Sequence, residues 1–243
     1  MALITLFTDF GWYGPYVGQM KARLLGIAPA APVVDLFHDA PVMDPRASSY
    51  LLEPFTRGLP AGSVNLAVVD PGVGTDERPG CVIRADDRWY VGPDNGLFEF
   101  VRRRATRAEY WQLPEPGMSV SPTFHGRDVF APVAASLALG DRPEMTPGEA
   151  ATLDWPDDSP YVLYIDEYGN AMTGIRGEAL ADSAVLEAGE HRLVYARTFG
   201  RMPVGAGFWY RNSSGLVEVA VNRGHAADAF GLAPGSLVRL VST

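Results

Sequence analysis

Cysteine and lysine are almost absent from this chain, which has one of each among its 243 residues. With Cys81 alone, neither an internal disulfide bond nor a cysteine-based metal site can form. Its place in the apolar run 81–83 is typical of a buried strand residue rather than of a nucleophile. Since Lys21 is the single lysine, arginine carries nearly all of the positive charge, which we interpret as genomic bias.

Acidic residues outnumber basic ones, 29 to 20, so that the net charge is −9 and the pI is about 4.9. A chain of this charge is a poor match for a nucleic-acid backbone. No segment approaches the roughly 20 apolar residues of a membrane span, and residues 2–7 lead straight into Thr8 and Asp9 without the pattern of a signal peptide. We therefore predict a cytoplasmic protein with neither nucleic acid nor membrane as its partner.

Strand and helix patterns alternate in the first half of the chain. The predicted strands are residues 2–7, 32–37, 63–69, 81–85, 88–91 and 109–113. A turn at Asp86 and Asp87 is predicted to join the strands 81–85 and 88–91. The predicted helices are residues 15–27, 44–55, 97–103 and 128–139, the second beginning with Asp44 as N-cap and Pro45 at its first position. This alternation predicts an α/β domain over residues 1–150, with a mostly parallel sheet flanked by helices.

The pattern changes after residue 140. Residues 140–160 are rich in proline, glycine and acidic residues and are interpreted as a linker. Short strand-like segments separated by turns then follow at 161–165, 184–186, 192–195, 208–211, 216–221 and 237–241. They predict a second domain over residues 158–243, a small antiparallel β-barrel-like fold.

Aspartates stand at or near the ends of three apolar strands, at Asp9, Asp35 and Asp70. The carboxyl ends of parallel strands form the ligand crevice of an open sheet, and a carboxylate there suits a ribose diol because it accepts two hydroxyl hydrogen bonds. A single aspartate of this kind is more often a cap or turn residue, so the series of three is what favours a site.

Two glycine-containing segments add further polar groups. Residues 70–75, D-P-G-V-G-T, form a tight loop but lack the lysine of a phosphate-binding loop. Residues 123–128, T-F-H-G-R-D, place His125 beside the Arg127–Asp128 pair, directly before an apolar helix. If the sheet brings them together, Asp70 and His125 form an acid/base couple. The P-D-N-G segment, 93–96, is interpreted chiefly as a turn, and the alternative is that Asp94 and Asn95 support the crevice.

Two other functions remain open on these residues. A metal-dependent nucleoside hydrolase or phosphoesterase would place Mg²⁺ or Ca²⁺ among the acidic strand ends Asp9, Asp35, Asp39, Asp70 and Asp94. The second is a non-catalytic module that binds adenosine or S-adenosylmethionine without converting it.

Seven motifs in order resemble one enzyme family. They are T-D-F-G (8–11), G-P-Y-V-G-Q-M-K (14–21), V-V-D-P-G-V-G-T (68–75), P-D-N-G-L (93–97), T-F-H-G-R-D-V-F-A-P (123–132), D-E-Y-G-N (166–170) and N-S-S-G (212–215). The chain is similar to the S-adenosylmethionine hydroxide adenosyltransferases, relatives of the fluorinase and chlorinase. The resemblance implies hydrolysis of S-adenosyl-L-methionine (SAM) to adenosine and L-methionine, without cofactor or metal, by a homotrimer with its site at a subunit interface.

The resemblance also implies a catalytic Asp–Arg–His set. Asp70 and His125 match the family's Asp and His. The family arginine commonly stands seven residues after the aspartate, where this chain has Glu77; one inserted residue would give the role to Arg78, which we predict. Halogenation is disfavoured, because the halogenating relatives carry a tyrosine in place of Asp70.

Substrate contacts are carried over in the same way. Asp9 resembles the ribose acceptor, Asp166 the acid that holds the methionine ammonium, and Asn170 the adenine reader. The remaining predicted contacts are the aromatic walls Phe124 and Phe199, the methionine-end serines Ser213 and Ser214, and His225 and Ala226, of which His225 stands where an asparagine is usual.

Overall fold

A computed structural model describes residues 1–75, 80–117 and 120–242 of the chain. Two compact units, Met1–Asp154 and Trp155–Thr243, make up the fold. Within the described residues no helix has both the length and the apolar character that crossing a bilayer requires.

A seven-stranded mixed sheet forms the first unit. Its strands are β1 (Ile4–Thr8), β2 (Val33–Phe37), β3 (Val64–Val68), β4 (Gly80–Ala85), β5 (Arg88–Pro93), β6 (Ala108–Gln112) and β7 (Thr146–Pro147). They lie in the order β2-β1-β3-β5-β4-β6-β7. The first four strands in this spatial order, β2, β1, β3 and β5, are parallel to one another. Each of β4, β6 and β7 is antiparallel to the strand before it in the order. The predicted α/β layer is therefore confirmed, but only part of its sheet is parallel.

Helices cover this sheet. They are α1 (Tyr16–Ile27), α2 (Pro45–Thr56), α3 (Glu99–Arg104) and α4 (Ala131–Leu139). α1 packs on α4, and α2 on α3. The predicted start of α2 is confirmed, because the Asp44 carboxylate accepts a hydrogen bond of 2.9 Å from the backbone N–H of Ala47 and Pro45 occupies the first turn. The predicted helix from residue 128 instead begins with a π-helical turn, Gly126–Phe130.

Two predictions for the antiparallel part of the sheet had different outcomes. The predicted turn between β4 and β5 is confirmed, with Asp86 and Asp87 both at positive φ. The linker prediction for residues 140–160 is wrong in part, because Thr146–Pro147 pairs with Trp111 and Gln112 of β6. Two residues are too short a run for an alternating pattern to reveal.

The described part of the second unit contains two antiparallel sheets, a short α-helix and two 3₁₀ turns. Its elements are β8 (Ser159–Ile165), β9 (Ala171–Arg176), β10 (Val185–Ala188), β11 (His191–Leu193), β12 (Gly207–Arg211), β13 (Leu216–Val221), α5 (Ala226–Phe230) and β14 (Val238–Ser242). One sheet has the order β11-β10-β14 and the other β12-β13-β9-β8. Their apolar faces share a core around the fully buried Trp209.

The sequence-based prediction missed β9, which is an inner strand of the four-stranded sheet. Gly174 interrupts its apolar pattern. The structure explains the glycine, because a Cβ there would lie 2.6 Å from the Cβ atom of Ser159 on the neighbouring strand. Two backbones approach closely at this point and require a glycine, and the glycine interrupts the apolar pattern by which the strand would have been predicted.

Candidate active site

The strand order of the first unit reverses at β1, and an open α/β sheet forms its ligand crevice at such a point. The chain moves from β1 to β2 on one side and then to β3 on the other side of β1. Thr8 of β1 pairs directly with Val68 of β3, and both strands run in the same direction. Asp9 and Asp70 follow these two strand ends by one and two residues. They consequently flank the switch point, where open α/β sheets bind ligands.

Asp9 is partly buried and is held by the loop that follows β2. Its Oδ2 atom accepts a hydrogen bond of 2.9 Å from the backbone N–H of Met43, which adopts a positive φ of 55°. Burial raises the pKa of the Asp9 carboxyl, and the hydrogen bond from Met43 offsets only part of that effect. The predicted ribose acceptor is thus oriented before any ligand arrives.

A partly buried series of polar contacts fixes the loop on which Asp9 lies. Lys21 donates to Oδ2 of Asp35 over 2.8 Å, and Nε2 of His38 lies 3.1 Å from the other oxygen. The Thr8 hydroxyl lies 2.8 Å from Nδ1 of His38 and accepts from the backbone N–H of Phe10. Because a carboxylate only accepts, Nε2 of His38 donates to Asp35. Both carboxylate oxygens of Asp35 therefore already have hydrogen-bond partners, Lys21 and His38.

The other acidic strand ends also have separate partners. Asp39 accepts from the indole N–H of Trp12 over 2.8 Å, and Asp94 accepts from the Tyr110 hydroxyl over 2.7 Å. Within the ranges that the structure describes, no group of three His, Cys, Asp or Glu side chains is arranged to hold a metal ion. The five acids named for a metal-dependent hydrolase are thus divided among different contacts.

The D-P-G-V-G loop and strand β3 before it lie against the T-F-H-G-R-D segment and the residue that precedes it. Gly74, at a positive φ of 79°, faces Pro122 so closely that a Cβ would lie 2.4 Å from the Pro122 carbonyl oxygen. A Cβ on Gly126 would lie 3.5 Å from Val68, the last residue of β3. The fold therefore brings the segment that carries half-buried His125 against the strand end and loop that carry Asp70.

An ion pair organises the histidine segment. Nε and Nη2 of Arg127 donate to the two Asp128 oxygens over 2.7 Å each, which confirms the predicted local pair. The Arg127 guanidinium also lies 5.0 Å from the ring centroid of Phe124. Asp128 accepts a further bond from the N–H of Ser121, and the hydrogen bond from Arg127 lowers the pKa of Asp128. The predicted aromatic wall is thus held by a charged pair.

Asn95 supports the loop of Asp70, a role that the turn interpretation of P-D-N-G had placed second. Its side-chain amide donates to the backbone carbonyl of Val69 over 2.9 Å, and its carbonyl accepts from the N–H of Leu97. Asp70 itself accepts from the backbone N–H of Gly72. Arg78, the predicted third catalytic residue, and Glu77 lie outside the described residues.

A cavity of about 810 Å³ lies in the second unit. Four predicted substrate contacts line it, together with further residues that the sequence did not suggest as contacts. The predicted ones are Asp166, Asn170, Phe199 and His225, and the others include Tyr210 and Asn222. Phe199 packs against Tyr210, with ring centroids 5.2 Å apart. Phe199 thus lines this cavity, as an aromatic wall would.

Asp166 and Asn170 are bonded to one another. The Asp166 carboxylate accepts from the side-chain amide of Asn170 over 2.9 Å and from the backbone N–H groups of Asn170 and Tyr168. These contacts close the turn before β9 and orient the Asn170 amide, with its nitrogen committed to Asp166. The roles assigned to them in substrate binding remain predictions.

The other predicted contacts have varied surroundings. His225 caps α5, because its Nδ1 atom accepts from the backbone N–H of Asp228 over 3.2 Å. Ala226, the first residue of α5, is fully buried in the core. Ser213 is exposed and Ser214 half-buried, on the turn between β12 and β13. In the described chain, these two serines and Ala226 are not among the residues that line the cavity.

Comparisons with known proteins cover both units. A family model described as "SAM hydroxide adenosyltransferase N-terminal domain" matches residues 4–146, and its C-terminal counterpart matches residues 160–239. The chain is 42% identical to a Thermus thermophilus protein named (R)-S-adenosyl-L-methionine hydrolase, over 99% of this chain and 100% of that one. It is 38% identical to a protein of the same name from Salinispora arenicola, over 98% and 97%. A crystal structure of an uncharacterized conserved protein from Thermotoga maritima is similar with a TM-score of 0.85 and 29% identity, over 98% of this chain and 99% of that one.

Proposed function

The chain belongs to the SAM hydroxide adenosyltransferase family, and from this membership we infer that it is an enzyme that hydrolyses S-adenosyl-L-methionine. The observation that carries this conclusion is the 42% identity, along essentially the whole of both chains, to a protein named as a hydrolase of that substrate. The seven motifs of the sequence resemblance all fall within this matched length. We propose adenosine and L-methionine as the products.

The reaction that we propose is a displacement at C5′ of the substrate. The oxygen of a water molecule attacks C5′, and a carbon–oxygen bond forms while the carbon–sulfur bond breaks. Sulfur keeps the bonding electrons and leaves as the neutral thioether of methionine. A proton of the water passes to Asp70 or to His125, whose segments are in contact. Because the sulfonium charge disappears along this path, a dry site favours the reaction.

The energy needed for a free hydroxide shows why a proton acceptor is required. Lowering the pKa of water from ~15.7 to ~7 takes roughly 12 kcal/mol. A guanidinium ~4 Å away supplies only about 4 kcal/mol at an effective dielectric constant of ~20. We therefore propose that Arg78 orients and polarises the water, while Asp70 or His125 removes the proton as attack proceeds.

Substrate contacts follow from the same proposal. Asp9, held at the switch point, binds the ribose diol, and Phe124 is an aromatic wall. The cavity residues Phe199, Asn170 and Asp166 receive the adenine and the methionine ammonium. The remaining proposed contacts are Ser213, Ser214, His225 and Ala226.

We also propose a homotrimer with the substrate at a subunit interface. Exposed apolar side chains near Asp9 support it, namely an apolar rim formed by Trp12, Tyr13, Val42 and Met43. Val42 and Met43 are 72% and 70% exposed, and such patches mark protein interfaces. A barrel-like closure of the second unit is supported by the backbone bridges Tyr161–Leu237 and Tyr195–Trp209. A cytoplasmic location stays a prediction.

The test is chromatography of the purified protein incubated with SAM, in parallel with EDTA and with excess chloride. We expect adenosine and methionine in equal amounts under all three conditions. Loss of product with EDTA would instead support the metal-dependent hydrolase. Tight binding in calorimetry without product would support the binding module, and 5′-chloro-5′-deoxyadenosine would identify a halogenating enzyme.

A further inference from the structure

Glu218 is a buried acid in a strand that is otherwise entirely apolar. It occupies the third position of β13, whose sequence is L-V-E-V-A-V, and it is 4% exposed. Taking a carboxylate out of water is costly, and replacing a buried polar group and its partners with apolar residues is often neutral or stabilising. The stability of the sheet therefore gives no reason for an acid at this position.

Both oxygens of the Glu218 carboxylate have partners on the neighbouring strand and turn. The hydroxyl of Tyr210, the direct cross-strand partner on β12, donates to Oε1. The side-chain amide of Asn212 donates to Oε2 over 2.8 Å. One buried carboxylate thus joins a strand residue and a turn residue.

Each partner belongs to a different part of the proposed substrate site. Tyr210 lines the cavity and packs on Phe199. Asn212 closes the turn of Ser213 and Ser214, because its Oδ1 atom accepts from the backbone N–H groups of Ser214 and Leu216 over 3.0 Å each. Moving Glu218 would therefore disturb the aromatic wall and the serine turn together.

The protonation states agree with this arrangement. Burial, and then the hydrogen bond to Glu218, raise the pKa of the Tyr210 hydroxyl far above its usual value, so that this group keeps its proton. Burial also raises the pKa of Glu218, while the hydrogen bonds from Tyr210 and Asn212 oppose that change. Tyr210 is thus the donor in this pair and Glu218 the acceptor.

We propose that Glu218 is a positioning residue for substrate binding, which holds the Tyr210–Phe199 wall and the Ser213–Ser214 turn in one arrangement. It touches no substrate and takes no proton in the reaction. The inference rests on the proposed SAM hydrolysis. Glu218 lies outside the seven motifs on which the family resemblance was based. Its effect is expected on KM, because it acts on binding groups and not on the reacting atoms.

The experiment compares the steady-state kinetics with SAM of four proteins: wild type, Glu218→Gln, Tyr210→Phe and the double variant. Each single substitution preserves the side-chain shape and weakens the same contact. We expect KM to rise about tenfold in each single variant, with kcat within about twofold of wild type. The double variant should be no worse than the more damaging single variant, because both remove one interaction.

Thr173→Val is the matched control. The Thr173 hydroxyl is fully buried on adjacent β9 and donates to the carbonyl of Val217 over 2.8 Å, on the same sheet but outside the residues of the proposed site. It should lower the melting temperature without changing KM. The four-protein comparison would overturn the inference if Glu218→Gln behaved like this control, or if the KM effects of the two single variants multiplied.

Two further outcomes are distinguishable. A wild-type protein that does not consume SAM defeats the proposed function, whereas normal wild-type turnover with unchanged KM in Glu218→Gln defeats only the role of Glu218. If Glu218→Gln does not fold, Tyr210→Phe decides alone, since it removes only the hydroxyl. A tenfold higher KM in that folded variant supports the inference, and an unchanged KM overturns it.

Discussion

The imidazole ring of His225 lies directly against the backbone of Gly169. A Cβ atom at residue 169 would come within 2.1 Å of Cγ of His225, and Gly169 has a positive φ of 78°. The backbone N–H of Ala227 also donates to the Gly169 carbonyl over 2.9 Å. The D-E-Y-G-N turn and the start of α5 therefore lie in contact at the edge of the cavity, and only glycine permits it.

Gly169→Ala should consequently raise KM for SAM and lower the melting temperature. Two costs add: the left-handed backbone, about 1–2 kcal/mol, and displacement of the His225 ring. Gly231→Ala is the control, because Gly231 also has a positive φ, 63°, but a Cβ there meets open space. Kinetics and thermal melts of both variants check this, and equal losses would show that the ring contact is unimportant.

Asp70→Asn should lower kcat by about 100-fold or more, the usual contribution of a positioned proton acceptor, while SAM still binds. Asparagine keeps a side-chain oxygen that can accept the bond from the N–H of Gly72, so the loop is retained. Single-turnover kinetics and calorimetry measure the two effects separately. A variant with near-normal turnover would remove Asp70 from the chemistry and leave His125 as the proton acceptor.

As the pH is lowered, the affinity for SAM should begin to fall at a pH higher than that at which an ordinary aspartate gains its proton. Burial raises the pKa of Asp9, so this carboxyl gains its proton at a higher pH and then accepts fewer hydroxyl bonds. Measured KM should therefore rise as pH falls through that raised pKa. Asp9→Asn should have a high KM that no longer varies in that pH interval; the same pH dependence in the variant would assign it to another group.

Lys21→Met should destabilise the fold at pH 7 by about 0.5–1 kcal/mol, a figure reduced for solvent screening because Lys21 and Asp35 are 34% and 26% exposed. Although burial opposes it, the hydrogen bonds from Lys21 and His38 lower the pKa of Asp35. When the pKa of a carboxyl is lower in the folded protein than in the unfolded chain, the carboxyl stabilises the fold at every pH above its unfolded pKa. This stabilisation disappears as the pH falls through the pKa of the folded state.

Urea unfolding from pH 7 to pH 3 checks the Lys21→Met prediction. The difference in unfolding free energy between wild type and variant should shrink toward zero as Asp35 gains its proton. Arg57→Met is the control and should cost less at pH 7, because Arg57 is 49% exposed and its partner Glu53 keeps a second contact with Arg104. A gap for Lys21→Met that stays constant with pH would show that only the apolar packing of Lys21 matters.

The sequence predicted what depends on neighbours along the chain. The strands before Asp9 and Asp70 were visible because short apolar runs end at them, and the Asp44 cap was visible because its partner lies three residues away. By contrast, the bonds of Asp35 to Lys21 and of His38 to Thr8 join residues 14 and 30 apart. Such pairs depend on strand order, which a single sequence does not display.

The second half illustrates the same limit. β9 was missed because Gly174 breaks its pattern, and the reason for that glycine is a strand 15 residues earlier that passes close by. For Glu218 a signal did exist, since one acid in the run L-V-E-V-A-V contradicts the apolar rule for its strand. Its partners, however, become visible only when β12 and β13 pair.

Lys21 is the only lysine of this chain, and it lies in an ion pair with Asp35. Acetylation, carbamylation and glycation of lysine side chains have a single target here, and its ammonium is already bonded to Asp35. Arginine, which carries nearly all of the remaining positive charge, is not acetylated or carbamylated by these reagents. A reagent that acylates Lys21 must first break the contact that holds the loop of Asp9, so one modified side chain would report on the integrity of the whole switch point.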